Sequence, residues 1–129
     1  MLISRVLIGF VFLVNMHCAA AFLFDPAAYM HGFGLDSIVG EQMVRALGLL
    51  FVMWNVPYAF ALADPLKHRV SLVEALIMQG IGLFGETAIL VLGGPYPPPI
   101  GSTITRFILF DGIGLVLLAA AVLQVQIKK

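Results

Sequence analysis

From Ala75 to Gly94 the chain reads ALIMQGIGLFGETAILVLGG, apolar enough to cross a bilayer yet carrying Glu86 inside the apolar run. An ionised carboxylate in hydrocarbon costs roughly 3 kcal/mol on insertion scales unless it faces a partner. Ala75, Gln79, Gly82, Glu86 and Gly93 recur at three-, four- and seven-residue spacings, so they share one stripe of a helix. The remaining faces are Leu, Ile, Val and Phe. Other helices must cover that small, polar stripe, and whatever packs around Glu86 organises the fold.

Composition closes off the alternatives. Of 129 residues, 61% are apolar and 11% charged, and the mean hydropathy is +1.05. No ordinary soluble domain is that apolar. The length suits a single transmembrane domain over residues 1–129, an all-α antiparallel four-helix bundle. A formal net charge of zero supplies no basic field, so nucleic acid is not an expected partner. The single cysteine, Cys18, excludes an internal disulfide and reads as a small packing residue.

The first span runs over about 2–24. Arg5, an apolar run and Ala19-Ala20-Ala21 imitate a signal peptide, but the run is longer than a signal core, so it reads as a mature transmembrane helix. Asp25-Pro26 predicts an N-cap with proline at the first helical position. One or two surface turns follow over Ala27 to His31, stopped by Gly32 and Gly34. The second span covers about 39–63, capped by Asp36 or Ser37, and Pro57 predicts a kink in it. Asp64-Pro65 ends it. Ser71 and Glu74 match a capping box opening a third span over about 71–92. Pro95-Tyr96-Pro97-Pro98-Pro99 predicts a stiff extended connection, and Ser102 or Thr103 a cap for the last span, about 104–127.

Placing both termini in the cytoplasm puts Arg5, Lys67, Arg69, Lys128 and Lys129 inside. The outer loops then hold Asp25, Asp36 and Glu41 and no Lys or Arg. The positive-inside rule supports that orientation, and the expected location is a cell membrane, the bacterial inner membrane.

At ~1.5 Å per residue, His17, Arg45, Glu86 and Asp111 each fall roughly 6–9 Å outward of the midpoint of their own span. Arg106 lies nearer the outer interface, where it can snorkel. Asn15, Asn55 and Gln79 lie nearer the midplane and extend the layer inward. Three readings of this layer compete. In the first, Arg45 and Arg106 pair with Glu86 and Asp111 and fasten the bundle. In the second, the layer lines a pocket for a lipophilic ligand with a polar head, such as a quinone or a lipid, with His17 and Glu86 on its wall. In the third, His17 ligates a metal or a tetrapyrrole such as haem, although no His-x-x-His or Glu-x-x-His spacing supports it. No P-loop, nucleophile elbow or zinc motif is present.

The loop D-P-x-x-Y-x-x-G-F-G-L from Asp25 to Leu35, R-A-L-G from Arg45 to Gly48, Gly85-Glu86, and R-F-x-x-F-D-G from Arg106 to Gly112 resemble the DoxX-like small four-helix membrane proteins. That family includes members of unassigned function and others linked to quinone-coupled sulfur oxidation. The resemblance implies the four-helix membrane fold and permits a quinone-reactive role, although the chain has no cysteine pair or cofactor motif. The reading drawn from the residues is a non-catalytic membrane protein, an accessory subunit or a binder of a lipophilic small molecule. Its partners are expected to be membrane lipid and other membrane subunits or further copies of itself.

Overall fold

The computed structural model describes residues 1–127; the charge expected at Lys128 and Lys129 lies outside them. The chain folds as α1 (Leu2–Phe24), α2 (Ala27–Met30), a 3-10 turn (His31–Phe33), α3 (Ser37–Trp54), α4 (Val56–Ala63), α5 (Arg69–Gly93) and α6 (Pro98–Ile127). The described residues contain no strand. Taking α3 and α4 together, four helical segments are long and apolar enough to cross a membrane.

Each of these four runs opposite to the next. Near one end, Arg5 at the start of α1 donates to the carbonyl of Ala63 at the end of α4, 2.8 Å away. There too, the Ser4 hydroxyl donates to Gln124 of α6 at 3.0 Å. Near the other end, Phe22 of α1 meets Phe51 of α3 and Phe107 of α6. Packing goes round a ring: α1 on α3 and α4, α4 on α5, α5 on α6, and α6 on α1. The core is Ile8, Val11, Tyr58, Ala61, Leu72, Ala75, Leu118, Ala121 and Val125, concentrated in the half that holds the chain's first residues.

The break in the second span lies at Asn55, two residues before Pro57. Pro57 has no N–H for the Met53 carbonyl, and its ring crowds that turn. Asn55 braces the turn before the break, because its side-chain amide donates to the Phe51 carbonyl at 2.7 Å beside its own backbone N–H at 3.1 Å. The consequence is spatial. Beyond the break α3 lies on α1, whereas α4 lies on both α1 and α5. A close crossing holds α3 there: a Cβ on Gly48 would stand 3.0 Å from the Ala19 carbonyl and 2.9 Å from Leu23 Cγ.

Several expected boundaries and caps differ. α5 opens at Arg69 with no side-chain cap, so Ser71 and Glu74 form no capping box. The turn before it is held by Asp64, whose carboxylate accepts the backbone N–H groups of Leu66 and Lys67 at 3.0 and 3.1 Å. Those two bonds, Lys67 first, hold the Asp64 carboxyl below its usual range. Asp25 ends α1 and Pro26 is the N-cap of α2, again without a side-chain bond. Neither Asp36 nor Ser37 caps α3 through its side chain; Asp36 is the N-cap residue and Ser37 already lies in the helix.

The proline connection shrinks to residues 94–97, because α6 begins at Pro98 and not near Ile104. First-turn N–H groups have no helical partner, so Pro98 and Pro99 lose nothing there. Thr103 is therefore interior to α6, and its hydroxyl donates back to the Pro99 carbonyl at 2.9 Å. Gly34, at φ 69°, closes the 3-10 turn in the left-handed region, where a side chain would be strained. The α2 and 3-10 segment then lies across the end of the bundle against α6.

Candidate functional site

The expected polar layer separates into distinct groups. Deepest is a chain of three residues. Tyr58 of α4, wholly buried, donates its hydroxyl to Gln79 Oε1 of α5 at 2.6 Å and lies 3.2 Å from the Ala75 carbonyl. Gln79, 2% exposed, donates its amide to Asp111 Oδ1 of α6 at 2.8 Å. Two glycines make room. A Cβ on Gly114 would lie 2.5 Å from Gln79 Nε2, and one on Gly82 would collide with the Asp111 carboxylate. A second group joins Asn15 of α1 to Asn55 at 3.3 Å.

Arg45 leaves the layer altogether. It pairs with Glu41 one turn back along α3, at 3.6 Å on the partly exposed flank of that helix. The expected pairing of Arg45 with Glu86 is therefore absent, and among the described residues neither Arg45 nor Arg106 forms an ion pair with Glu86 or Asp111. The helical reason is simple. Gly48 and Val44 turn the inner face of α3 towards α1, and position 45 falls beside that face rather than on it.

Glu86 lies on the same side of α5 as Gln79 and Gly82, yet receives no bond. Its Oε2 is buried and has no hydrogen-bond partner among the described residues. It lines a cleft of about 340 Å³ between α3 and α5, with Leu47, Phe51, Ile89, Ile100 and Phe107 as apolar wall. The cleft follows from the break at Asn55, which draws α3 towards α1 and leaves Glu86 opposite a gap. Tyr96 lines it near the loop, with its hydroxyl fixed to the Ile89 carbonyl at 2.9 Å.

A second cleft, of about 310 Å³, lies on the other side of the bundle between α1 and α6 and contains His17, Cys18, Tyr29, Arg106 and Phe110. Between the two clefts stands an aromatic partition. Phe22 meets Tyr29, Phe33, Phe51 and Phe107 with ring centroids 5.2–6.3 Å apart, and Phe51 stacks on Phe107 at 6.0 Å. Both clefts share Phe22, Phe33 and Phe107 as lining. The pocket expected to hold His17 and Glu86 together is thus two clefts, with one of these residues in each. Among the described residues no group of three or more His, Cys, Asp and Glu side chains gathers in a way that could hold a metal ion.

Reading the sequence missed Tyr58, Ser4, Gln124 and the aromatic partition. Tyr58 had a legible signal: it lies one turn after Asn55, on the same face, and a tyrosine buried in a span needs a partner for its hydroxyl. The partition had none, because its rings come from five separate places in the chain. No family model matches the chain, and neither a curated protein nor a solved structure matches it.

Proposed function

We propose that this chain is a four-span protein of the bacterial inner membrane that binds a lipophilic molecule in the Glu86 cleft. The bound molecule has a hydroxyl or amine head, and the chain performs no chemistry on it. The observation that carries this reading is the buried, unbonded Glu86 Oε2 on a mostly apolar wall. A buried acceptor without a donor costs about 1–3 kcal/mol, and a ligand head that donates to it removes that cost. Glu86 accepts such a bond whether or not it carries a proton. The few polar groups on a mostly apolar lining fit a site that takes an apolar body and orients one polar end.

In this reading both termini and Lys67 to Arg69 face the cytoplasm, as their charge favours. The α2 and 3-10 segment then lies at the outer surface, and the cleft opens to the outer leaflet. The exposed apolar flanks of the helices meet lipid or other membrane subunits. A DoxX-type quinone-reactive subunit is the alternative; it would use the same cleft, since a quinol presents the hydroxyl that Glu86 lacks.

An isoprenoid quinol and its dimethyl ether, titrated separately into the detergent-solubilised full chain, test the proposal by native mass spectrometry. The quinol should bind about tenfold more tightly than the ether, and Glu86→Leu should erase the difference, in line with one hydrogen bond to a buried polar group. Equal binding of both probes to the unaltered chain, or discrimination that survives Glu86→Leu, overturns it.

A further inference from the structure

We infer that the cleft between α1 and α6 is a second site, separate from the Glu86 cleft, and that it seats the phosphate head of an anionic membrane phospholipid. Arg106 carries the inference. It lies within a helix long and apolar enough to cross a membrane, it is exposed at the cleft, and it forms no ion pair among the described residues. Its one side-chain bond among the described residues is a long one, from Nη2 to the Thr103 hydroxyl at 3.4 Å. That bond directs the guanidinium one turn back towards the start of α6, as an arginine reaching for a headgroup layer would point. Most of its five N–H donors remain available.

The surroundings suit a phosphodiester on an acyl chain. His17, exposed on the facing helix, brings an imidazole to the same cleft, and Tyr29 of α2 stands beside it. No carboxylate lines the cleft, so nothing there competes for the guanidinium or repels an anion. Val14 and Phe110 continue the groove towards the middle of the bundle as an apolar track for methylenes. The volume of about 310 Å³ equals that of about ten water molecules in the liquid, which is room for a phosphoglycerol head with its chains outside. Arginine is the side chain suited to hold phosphate oxygens in pairs.

The test uses the full chain in a neutral detergent, titrated with phosphatidylglycerol, with phosphatidylcholine of the same acyl chains, and with glycerol 3-phosphate. Phosphatidylglycerol should bind more tightly than phosphatidylcholine, and glycerol 3-phosphate should not displace it. Arg106→Gln should weaken phosphatidylglycerol by about tenfold or more, the loss of a charge-assisted hydrogen bond, and Arg106→Lys by less. In Glu86→Leu, which removes any capture of the glycerol hydroxyls by the other cleft, phosphatidylglycerol should still bind more tightly than phosphatidylcholine, and loss of that preference would place it in the Glu86 cleft and overturn the proposal. Equal affinity for the two lipids would reduce the cleft to an apolar groove and overturn the proposal; this comparison needs no variant. Displacement by glycerol 3-phosphate would make it a free-anion site, and undiminished binding in Arg106→Gln would remove its anchor; either result overturns it as well.

Discussion

Gln79 gives its amide to the Asp111 carboxylate at 2.8 Å while its own carbonyl takes the Tyr58 hydroxyl at 2.6 Å. One neutral side chain thereby ties three helices and answers a carboxylate that had been expected to need an arginine. A polar group in hydrocarbon needs its hydrogen bonds completed, and a full opposite charge is only one way to do that.

Removing the middle of this chain should therefore cost more than removing its end. Tyr58→Phe leaves one acceptor on Gln79 short of a donor, and a loss of about 0.6–2 kcal/mol is expected, as for hydrogen bonds between membrane helices. Gln79→Leu strands Asp111, leaves Tyr58 only the longer bond to the Ala75 carbonyl, and should cost more. In the double variant the losses should fall short of additive, because Gln79→Leu already removes the partner that Tyr58 serves. Thermal unfolding in detergent measures all three, and strict additivity would mean that the bond between Tyr58 and Gln79 contributes nothing.

Glycines along α5 should respond in opposite ways. Gly82→Ala drives a methyl into the Asp111 carboxylate and should destabilise by about 1–3 kcal/mol, the usual cost of overpacking. Gly85→Ala meets nothing within 4 Å and should be neutral or stabilising by up to ~1 kcal/mol, because alanine is the better helix former. Comparable melting temperatures for the two variants would contradict the close approach of α6 at Gly82.

Asn55 is expected to hold the break in the second span. Asn55→Leu strands the Asn15 amide and takes one of two donors from the Phe51 carbonyl, which keeps the backbone N–H of residue 55 at 3.1 Å, for a loss on the order of 1 kcal/mol. Asn15→Leu removes only the longer of the two bonds and should cost less. Denaturation of the two variants side by side decides the order, and a larger loss at Asn15 would place the anchor on α1.

The turn at Asp64 gives a pH signature. Its carboxyl is held below the usual range by the Lys67 and Leu66 N–H groups, so the charged form is the one that the fold favours. Its contribution is present above the ordinary aspartate value of ~4 and is lost as pH falls through the lower folded value. The stability difference between the unaltered chain and Asp64→Ala should stay level from about pH 5 to 8 and shrink below about pH 4. A difference that grows on acidification would mean that the neutral form makes the bonds.

Topology is open to direct labelling. With Cys18 replaced by alanine and cysteine introduced at Lys67 in one variant and at Tyr96 in another, an impermeant thiol reagent added to intact cells should modify only position 96. Modification at position 67 from outside would reverse the orientation drawn from the charges.

What could be read from the sequence alone was whatever depends on local spacing. Four apolar runs of spanning length, the stop at Asp64-Pro65, the break near Pro57 and the small, polar stripe of Ala75, Gln79, Gly82 and Glu86 all follow from periodicity and from the limits of proline. Depth was legible only in part: Asp111 was expected outward of Gln79, yet the two bond at 2.8 Å, because α6 begins at Pro98 and not near Ile104, which moves its midpoint towards Asp111. Rotation about each helix axis was not legible. Arg45 and Glu86 were expected at similar depths, but Gly48 packs against Ala19 and turns α3 to α1, so Arg45 meets its own neighbour Glu41. His17 and Glu86, likewise expected at one depth, lie on opposite sides of an aromatic partition built from Phe22, Tyr29, Phe33, Phe51 and Phe107. Which faces meet is decided when close-packed side chains select one crossing among several allowed by each helix, and that choice belongs to the tertiary structure.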